Sequence, residues 1–423
     1  MTVRVDFIRE AIDFALKCVR SDVVCKNFCK IEKGDLIAGK IEYELKRFKR
    51  RYLIAVGKAA CPMAKRMCEI MEFDDGLIAT DKECNANCKN ITVFRSSHPL
   101  PNEDSVKAGD YLVDLAKNSK RDDLFVFLIS GGASSLIERP KIDLKEYRSI
   151  VDYMLRNHFS IEEINVIRKA LSQIKGGKIL RHINGEVVSL VISDVIGDDL
   201  SVIGSGLTYY DKFTQKDFVE VCQKLKDFDI CSFDYDSLGK DDFLFKRVTN
   251  HVVASNSTAC SCLEEYFKSN GFSVLNLGSY MKGKVEWVSN VLFDTIKRAV
   301  DGKLGIKPPF ALVFGGETTV KVKADGIGGR CQHLALLMAQ KLETLPGDFT
   351  FVSFATDGKD GNSEYAGAIV DRNVLEKSKD LDLNIDDYIN TFNSSVFFKR
   401  SGGAIKSFDT LTNVADIGFF MYK

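Results

Sequence analysis

Leu124-Phe-Val-Phe-Leu-Ile129 runs directly into Ser130-Gly-Gly-Ala-Ser-Ser135, and the fold is decided at this junction. A strand with one wet face alternates apolar and polar residues; an unbroken apolar run bounded by turn residues predicts a strand buried on both faces. The same pattern recurs at Tyr52 to Val56, Val187 to Ile192, Val252 to Ala254, Phe310 to Phe314 and Thr350 to Ala355. Each run ends in a Gly- or Asp-containing turn, and helical periodicity usually follows. Buried strands alternating with helices predict an α/β fold with a parallel, doubly wound sheet. Ahead of them, Ile8, Ile12, Leu16 and Val19 mark an amphipathic helix over residues 7–19.

At 423 residues the chain exceeds one ordinary core, so two domains are expected. The stretch Asp227-Phe-Asp-Ile-Cys-Ser-Phe-Asp-Tyr-Asp236 has no clear period. A boundary near it gives domains 1–240 and 241–423. Lys plus Arg and Asp plus Glu number 59 each, so the basic excess of a nucleic-acid-binding protein is missing. No apolar run is long enough to span a bilayer, and Met1 to Asp6 lacks the pattern of a signal peptide. A cytoplasmic protein without a membrane partner is therefore expected. Its twelve cysteines are expected to be reduced. Cys25/Cys29 and Cys84/Cys88 are spaced more loosely than most zinc pairs, while Cys18, Cys61, Cys68 and Cys222 sit in apolar-periodic runs.

In an open α/β sheet ligands bind beyond the carboxyl ends of the strands, so the residues there are the site candidates. Gly57-Lys58 follows the first run; it lacks the spaced glycines of a Walker A loop, yet a lysine at a strand-to-helix turn can meet a phosphate beside free helix N–H groups. Ser130, Gly131, Gly132, Ala133 and Ser134 form a loop whose small residues let backbone N–H groups approach an anion. Arg168, Lys169, Lys175 and Lys178 are further cations that can approach phosphate, and Lys169 and Lys178 can equally be ordinary solvent-facing charges. Asp194 stands directly beyond a buried strand, where a divalent cation or a general base is commonly held; Asp198 and Asp199 fit turn formation better.

In the second half Asn256 is either a site residue or a helix cap. Gly315, Gly316, Glu317 and Thr318 combine backbone donors, a carboxylate and a hydroxyl. Arg330 opens a helix after Gly326-Ile-Gly-Gly329, where bidentate contact and the helix dipole favour an anion. Asp357 repeats the strand-end carboxylate of Asp194. Cations, glycine loops and carboxylates at strand ends, without a Ser-His-Asp arrangement, favour phosphoryl transfer over hydrolysis.

These segments resemble the glycerate 2-kinase family. The similarity is carried by Val56-Gly-Lys58-Ala-Ala, Ser97-His98-Pro99, Ser130-Gly-Gly132, Ile174-Lys-Gly-Gly177, Ser193-Asp194 with Gly197-Asp-Asp199, Gly315-Gly-Glu-Thr-Thr319, Gly328-Gly-Arg330, Thr356-Asp-Gly358 and Thr412-Asn-Val414, in order along nearly the whole chain. Cys331-Gln332-His333 departs from the family's usual Asn-Gln-Glu after the arginine, and Ile196 stands where it usually has proline.

The resemblance implies a Rossmann-like N-terminal domain with helices on both faces of its sheet, a smaller C-terminal α/β domain of MOFRL type, and an active site in the cleft between them. It implies ATP as phosphoryl donor, D-glycerate as acceptor, and Mg²⁺ or another divalent cation. By position Lys58 and Arg330 match the family's phosphate- or substrate-binding cations and Asp194 its catalytic or metal-associated acid, so Lys58, Asp194 and Arg330 are the catalytic candidates, and Asp194 or Asp357 is expected near the metal. A monomer and a homodimer both remain open. Two alternatives remain: a hydroxypyruvate reductase, against which no strand is followed by Gly-x-Gly-x-x-Gly, and a non-catalytic two-lobed anion-binding protein, against which the strand-end carboxylates count.

Overall fold

The computed structural model describes residues 2–408 and 410–423, with side chains from Asp6 onward. The chain forms two compact units, Ser21–Val253 and Met1–Arg20 with Ala254–Lys423. A single cut at 240 therefore misses the N-terminal helix Thr2–Val19, which packs with the C-terminal segment. Phe7 stacks on Phe272, with ring centroids 5.8 Å apart, and Cys18 is disulfide-bonded to Cys262.

In the first unit a small antiparallel sheet, β1 (Cys29–Glu32), β2 (Asp35–Ala38) and β3 (Ile41–Tyr43), precedes the main sheet. The main sheet contains β4 (Arg50–Val56), β5 (Asp75–Thr80), β6 (Ile91–Arg95), β7 (Asp123–Ile129), β8 (Glu186–Ile192) and β9 (Val248–Ala254). Its spatial order is β6-β5-β4-β7-β8-β9, with β4 through β8 and β6 paired in parallel. This is the Rossmann order, in which the succession of strands across the sheet reverses between β4 and β7 while the strands stay parallel. Every residue of β7 is buried, as the uninterrupted apolar run requires. The strand expected to open the second half, β9, instead closes this sheet.

In the other unit β10 (Ser273–Asn276), β11 (Met281–Lys284), β12 (Phe310–Thr319), β13 (Phe349–Ala355), β14 (Tyr365–Asp371), β15 (Ala404–Lys406) and β16 (Asp416–Tyr422) form one sheet. It is mixed, which departs from a parallel sheet throughout. β16 inserts between β12 and β13 and runs antiparallel to both. Its apolar core, Ile417 to Met421, is buried, and that burial holds the last strand of the chain in the middle of the sheet.

Beside the Rossmann-order sheet two buried ion pairs brace the helices. Lys175 pairs with Glu138, which also accepts hydrogen bonds from Ser172 Oγ (2.5 Å) and Tyr147 Oη (2.5 Å). Burial pulls the Lys175 ammonium down to about 8, against the opposing pull of Glu138. Lys169 pairs with Asp211 at 2.8 Å, and Asp211 accepts from Tyr235 at 2.6 Å. Removing one partner of such a pair leaves an uncompensated buried charge. Glu138→Gln is expected to cost about 3–5 kcal/mol in urea unfolding, and the Glu138→Leu/Lys175→Met double variant should recover most of it.

The thiols correct the expectation of fully reduced cysteines. Besides Cys18–Cys262, disulfides join Cys61 to Cys84 and Cys68 to Cys88. The latter two tie the helix Ala60–Ile70 to the loop after β5. Mass spectrometry of protein alkylated without reductant is expected to find these six cysteines unlabelled, and full labelling of all six would show that the bonds do not form in the isolated protein.

Candidate active site

The reversal of strand order in the first unit's sheet lies between β4 and β7, and the loops leaving those two strands are bonded to each other. Lys58 N–H donates to Gly131 O (2.9 Å), and Ala59 N–H donates to Ser130 Oγ (3.0 Å). Gly57, at φ +133°, lies so close to Ser130 that a Cβ there would collide with its backbone. Only glycine lets the two loops approach in this way. Lys58 is exposed at this point.

Gly132, at φ +86°, faces two side chains: a Cβ there would lie 3.2 Å from His98 Cδ2 and 3.3 Å from Lys58 Cγ. A Cβ on Gly131 would overlap the Asp194 carboxylate, which arrives from the end of β8. Lys58, His98, Asp194 and the Ser130–Gly132 turn therefore converge at one edge of the sheet. Partial desolvation, then the charges of Lys58 and Arg168, pull His98 down to about 4 against Asp81, although the ring remains exposed. The imidazole is neutral at pH 7 and adds no charge to Lys58.

The loop hydroxyls are largely engaged. Ser130 Oγ holds Ala59, Ser135 Oγ donates to Gly132 O at 3.2 Å, and Ser134 Oγ lies 2.8 Å from Ser205 Oγ. Asp199 accepts from Ser201 N–H (2.9 Å) and from Ser201 Oγ (2.6 Å), the turn-forming role expected for it.

The other unit holds a cavity of about 700 Å³, lined in part by Thr318, Arg330, His333, Asp357, Lys359 and Asn362. Arg330 is not a free cation. Its Nε and Nη2 reach Asp416 at 2.5 and 3.2 Å, and its Nη1 reaches Glu317 at 2.5 Å. A guanidinium has five N–H donors, so two still point elsewhere, and the side chain is 35% exposed. Burial pushes the Asp416 carboxyl up to about 7, with Asp360 and Glu317 acting in the same direction and Arg330 opposing.

The N–H groups opening the helix Arg330–Leu342 are occupied too. Asp360 accepts from Cys331 N–H (3.1 Å) and Gln332 N–H (2.8 Å), as a carboxylate does at the positive end of a helix. The helix start expected to receive an anion is thus capped from within. Asp357 lines the cavity and accepts from Lys359 N–H at 3.2 Å.

Three other candidates have structural work. Gly315 and Gly316 lie inside β12, not in a loop beyond it: Gly315 N–H donates to Gly278 O, and both glycines admit close neighbours, Asn256 and Met281 respectively. Asn256 donates through Nδ2 to Val414 O (2.7 Å) and Asp416 O (2.8 Å), while Ser255 is the helix cap. His98 and Asp416 were not among the candidates. His98 lies in the Ser97-His98-Pro99 motif, which marked it only as part of a pattern, and no local signal joins Asp416 to Arg330.

Among the described residues no group of three or more His, Cys, Asp or Glu side chains is placed to hold a metal ion.

Both units present charged and polar groups suited to anionic small molecules, and the class they define is a two-unit α/β enzyme. The family described as Domain of unknown function (DUF4147) matches residues 7–231, and the MOFRL family matches residues 310–416. The chain is 31% identical over 404 residues to the glycerate 2-kinase of Pyrococcus horikoshii, covering 92% of this chain and 91% of that protein. It is 33% identical over 374 residues to the D-glycerate 2-kinase of Thermotoga maritima, covering 87% and 89%. The crystal structure of glycerate kinase from Thermotoga maritima superposes with a TM-score of 0.89 at 29% identity, covering 100% of both chains. The protein belongs to the glycerate 2-kinase family.

Proposed function

We propose that the protein transfers the γ-phosphoryl group of ATP to the 2-hydroxyl of D-glycerate, giving 2-phosphoglycerate and ADP. The observation that carries this reading is the placement of Lys58 where the strand order reverses, against the same Gly131–Gly132 turn that the Asp194 carboxylate meets. Phosphoryl transfer requires charge neutralisation and in-line positioning more than covalent chemistry by the protein.

Lys58 neutralises charge on the transferring phosphoryl group. The Ser130–Ser134 loop lies against it and shapes the space for phosphate oxygens. Arg330, fixed by Asp416 and Glu317, offers its remaining N–H donors to the glycerate carboxylate or the γ-phosphate. Glu317 and Thr318 complete that wall. A divalent cation, Mg²⁺ by chemical preference, would be held with the help of Asp194 or Asp357 and would screen the nucleotide's phosphates. The cytoplasm, which holds a supply of ATP, is the compartment proposed for the reaction.

An ADP-release assay over a panel of hydroxy acids tests the reading. D-glycerate is expected to give the highest kcat/KM, above L-glycerate, glycolate and D-lactate. Equal rates with and without every acceptor would leave only ATP hydrolysis and remove the kinase assignment.

A further inference from the structure

The helix Ile161–Ala170 carries Asn165, Arg168 and Lys169 at i, i+3 and i+4, the spacing that places side chains on one face. All three are buried, Arg168 to 7% exposure. The neighbouring buried lysines are matched, Lys169 by Asp211 and Lys175 by Glu138. Arg168 is not: its side chain makes no hydrogen bond or ion pair with any described residue.

Its charge nevertheless acts on a defined surrounding. It opposes protonation of His98 and Lys175 and favours ionisation of Tyr147. His98 in turn shares the face of Gly132 with Lys58. Asn165 provides a second observation. Its Oδ1 accepts from Ser205 Oγ at 2.7 Å, and Ser205 also meets Ser134 of the glycine loop at 2.8 Å. The Asn165 Nδ2 donor is buried without a partner. An amide donor buried without a partner is costly unless an acceptor joins it, and the unmatched guanidinium one turn along the same helix face favours an acceptor that is an anion.

We propose that Arg168 and Asn165 bind the carboxylate of the hydroxy-acid acceptor and set its specificity. This deepens the kinase reading, rests on it, and leaves the γ-phosphate, of the two anions named above, to Arg330. A guanidinium matches a carboxylate through two parallel N–H donors. An acceptor gripped there has its 2-hydroxyl on the carbon bonded to the carboxylate, closer to the grip than the 3-hydroxyl. The geometry thus offers a reason for the 2-position to react. A phosphate of ATP is the other anion with the same chemistry, and the kinetics separate the two.

Steady-state kinetics of Arg168→Gln and Arg168→Lys, with wild type as control, test the proposal. For Arg168→Gln, KM for D-glycerate should rise about 30-fold or more, with KM for ATP unchanged within about twofold. Arg168→Lys, which keeps the charge but not the two-point contact, should show a smaller rise. The preference for D-glycerate over uncharged D-glyceramide should collapse in Arg168→Gln, a readout that a purely structural role would not move. A rise confined to KM for ATP assigns Arg168 to the nucleotide and overturns the proposal; so does an unchanged KM for D-glycerate. If Arg168→Gln does not fold, Arg168→Lys decides on the same readings. Wild-type protein that does not turn over D-glycerate at all refutes the kinase reading itself, a separate outcome.

Discussion

Lys58→Ala is expected to lower kcat by about 10²–10³-fold with the fold intact. The side chain is exposed at the end of β4, while the loop around it is held by the backbone of Gly57, Lys58 and Ala59 against Ser130 and Gly131. Truncation therefore removes the ammonium and little else. A charge held ready where negative charge develops acts mainly on the transition state, so kcat should fall more than KM rises. Lys58→Arg tests whether charge alone suffices: the planar guanidinium would have to fit beside His98 and Gly132, and only partial recovery is expected. The check is single-turnover phosphoryl transfer beside a thermal melt. An unchanged rate in Lys58→Ala would take Lys58 out of the reaction.

The second expectation concerns Arg330 and the carboxylate that holds it. Arg330→Ala should reduce kcat/KM by about 10²-fold or more. Asp416→Asn should give a loss approaching this, because misplacing a binding group by about 1 Å can cost about 10²-fold. Glu317 remains to hold one edge of the guanidinium, so some activity should survive. If Asp416 acts through Arg330, the Arg330→Ala/Asp416→Asn double variant should be scarcely worse than Arg330→Ala alone. Additive losses would instead assign Asp416 an independent role. Its carboxyl, raised to about 7, gives it the proton affinity for one, and the double variant separates the two possibilities.

Much of this was legible in the sequence, for an identifiable reason. Strands buried on both faces advertise themselves as apolar runs, and in a Rossmann-order sheet the chain must leave each one at the ligand-binding edge. Lys58, the Ser130–Ser134 turn and Asp194 were readable because they sit one or two residues beyond such runs. The pattern failed where tertiary pairing overrode it. Gly315 and Gly316 read as the end of a strand, but β12 continues through them because β16 pairs with it as far as Gly316. Asp416 lies 86 residues from Arg330, and nothing local couples the two. Asn165 sits inside a helix, where a buried polar residue looks in sequence like any solvated one, and Arg168 stood out only as one of four nearby cations. The partnerless state of Arg168 became visible only once the acids matching Lys169 and Lys175 could be placed. The N-terminal helix gave its own periodicity away but not its destination, since its contacts are with residues more than two hundred positions later.

The most direct test of the central claim is ³¹P NMR of the purified protein incubated with ATP, Mg²⁺ and D-glycerate. Growth of a 2-phosphoglycerate resonance in step with ADP is the expected result. A 3-phosphoglycerate resonance would contradict the assigned position of transfer, and ATP left intact beside unmodified D-glycerate would contradict the assignment of this protein as a glycerate kinase.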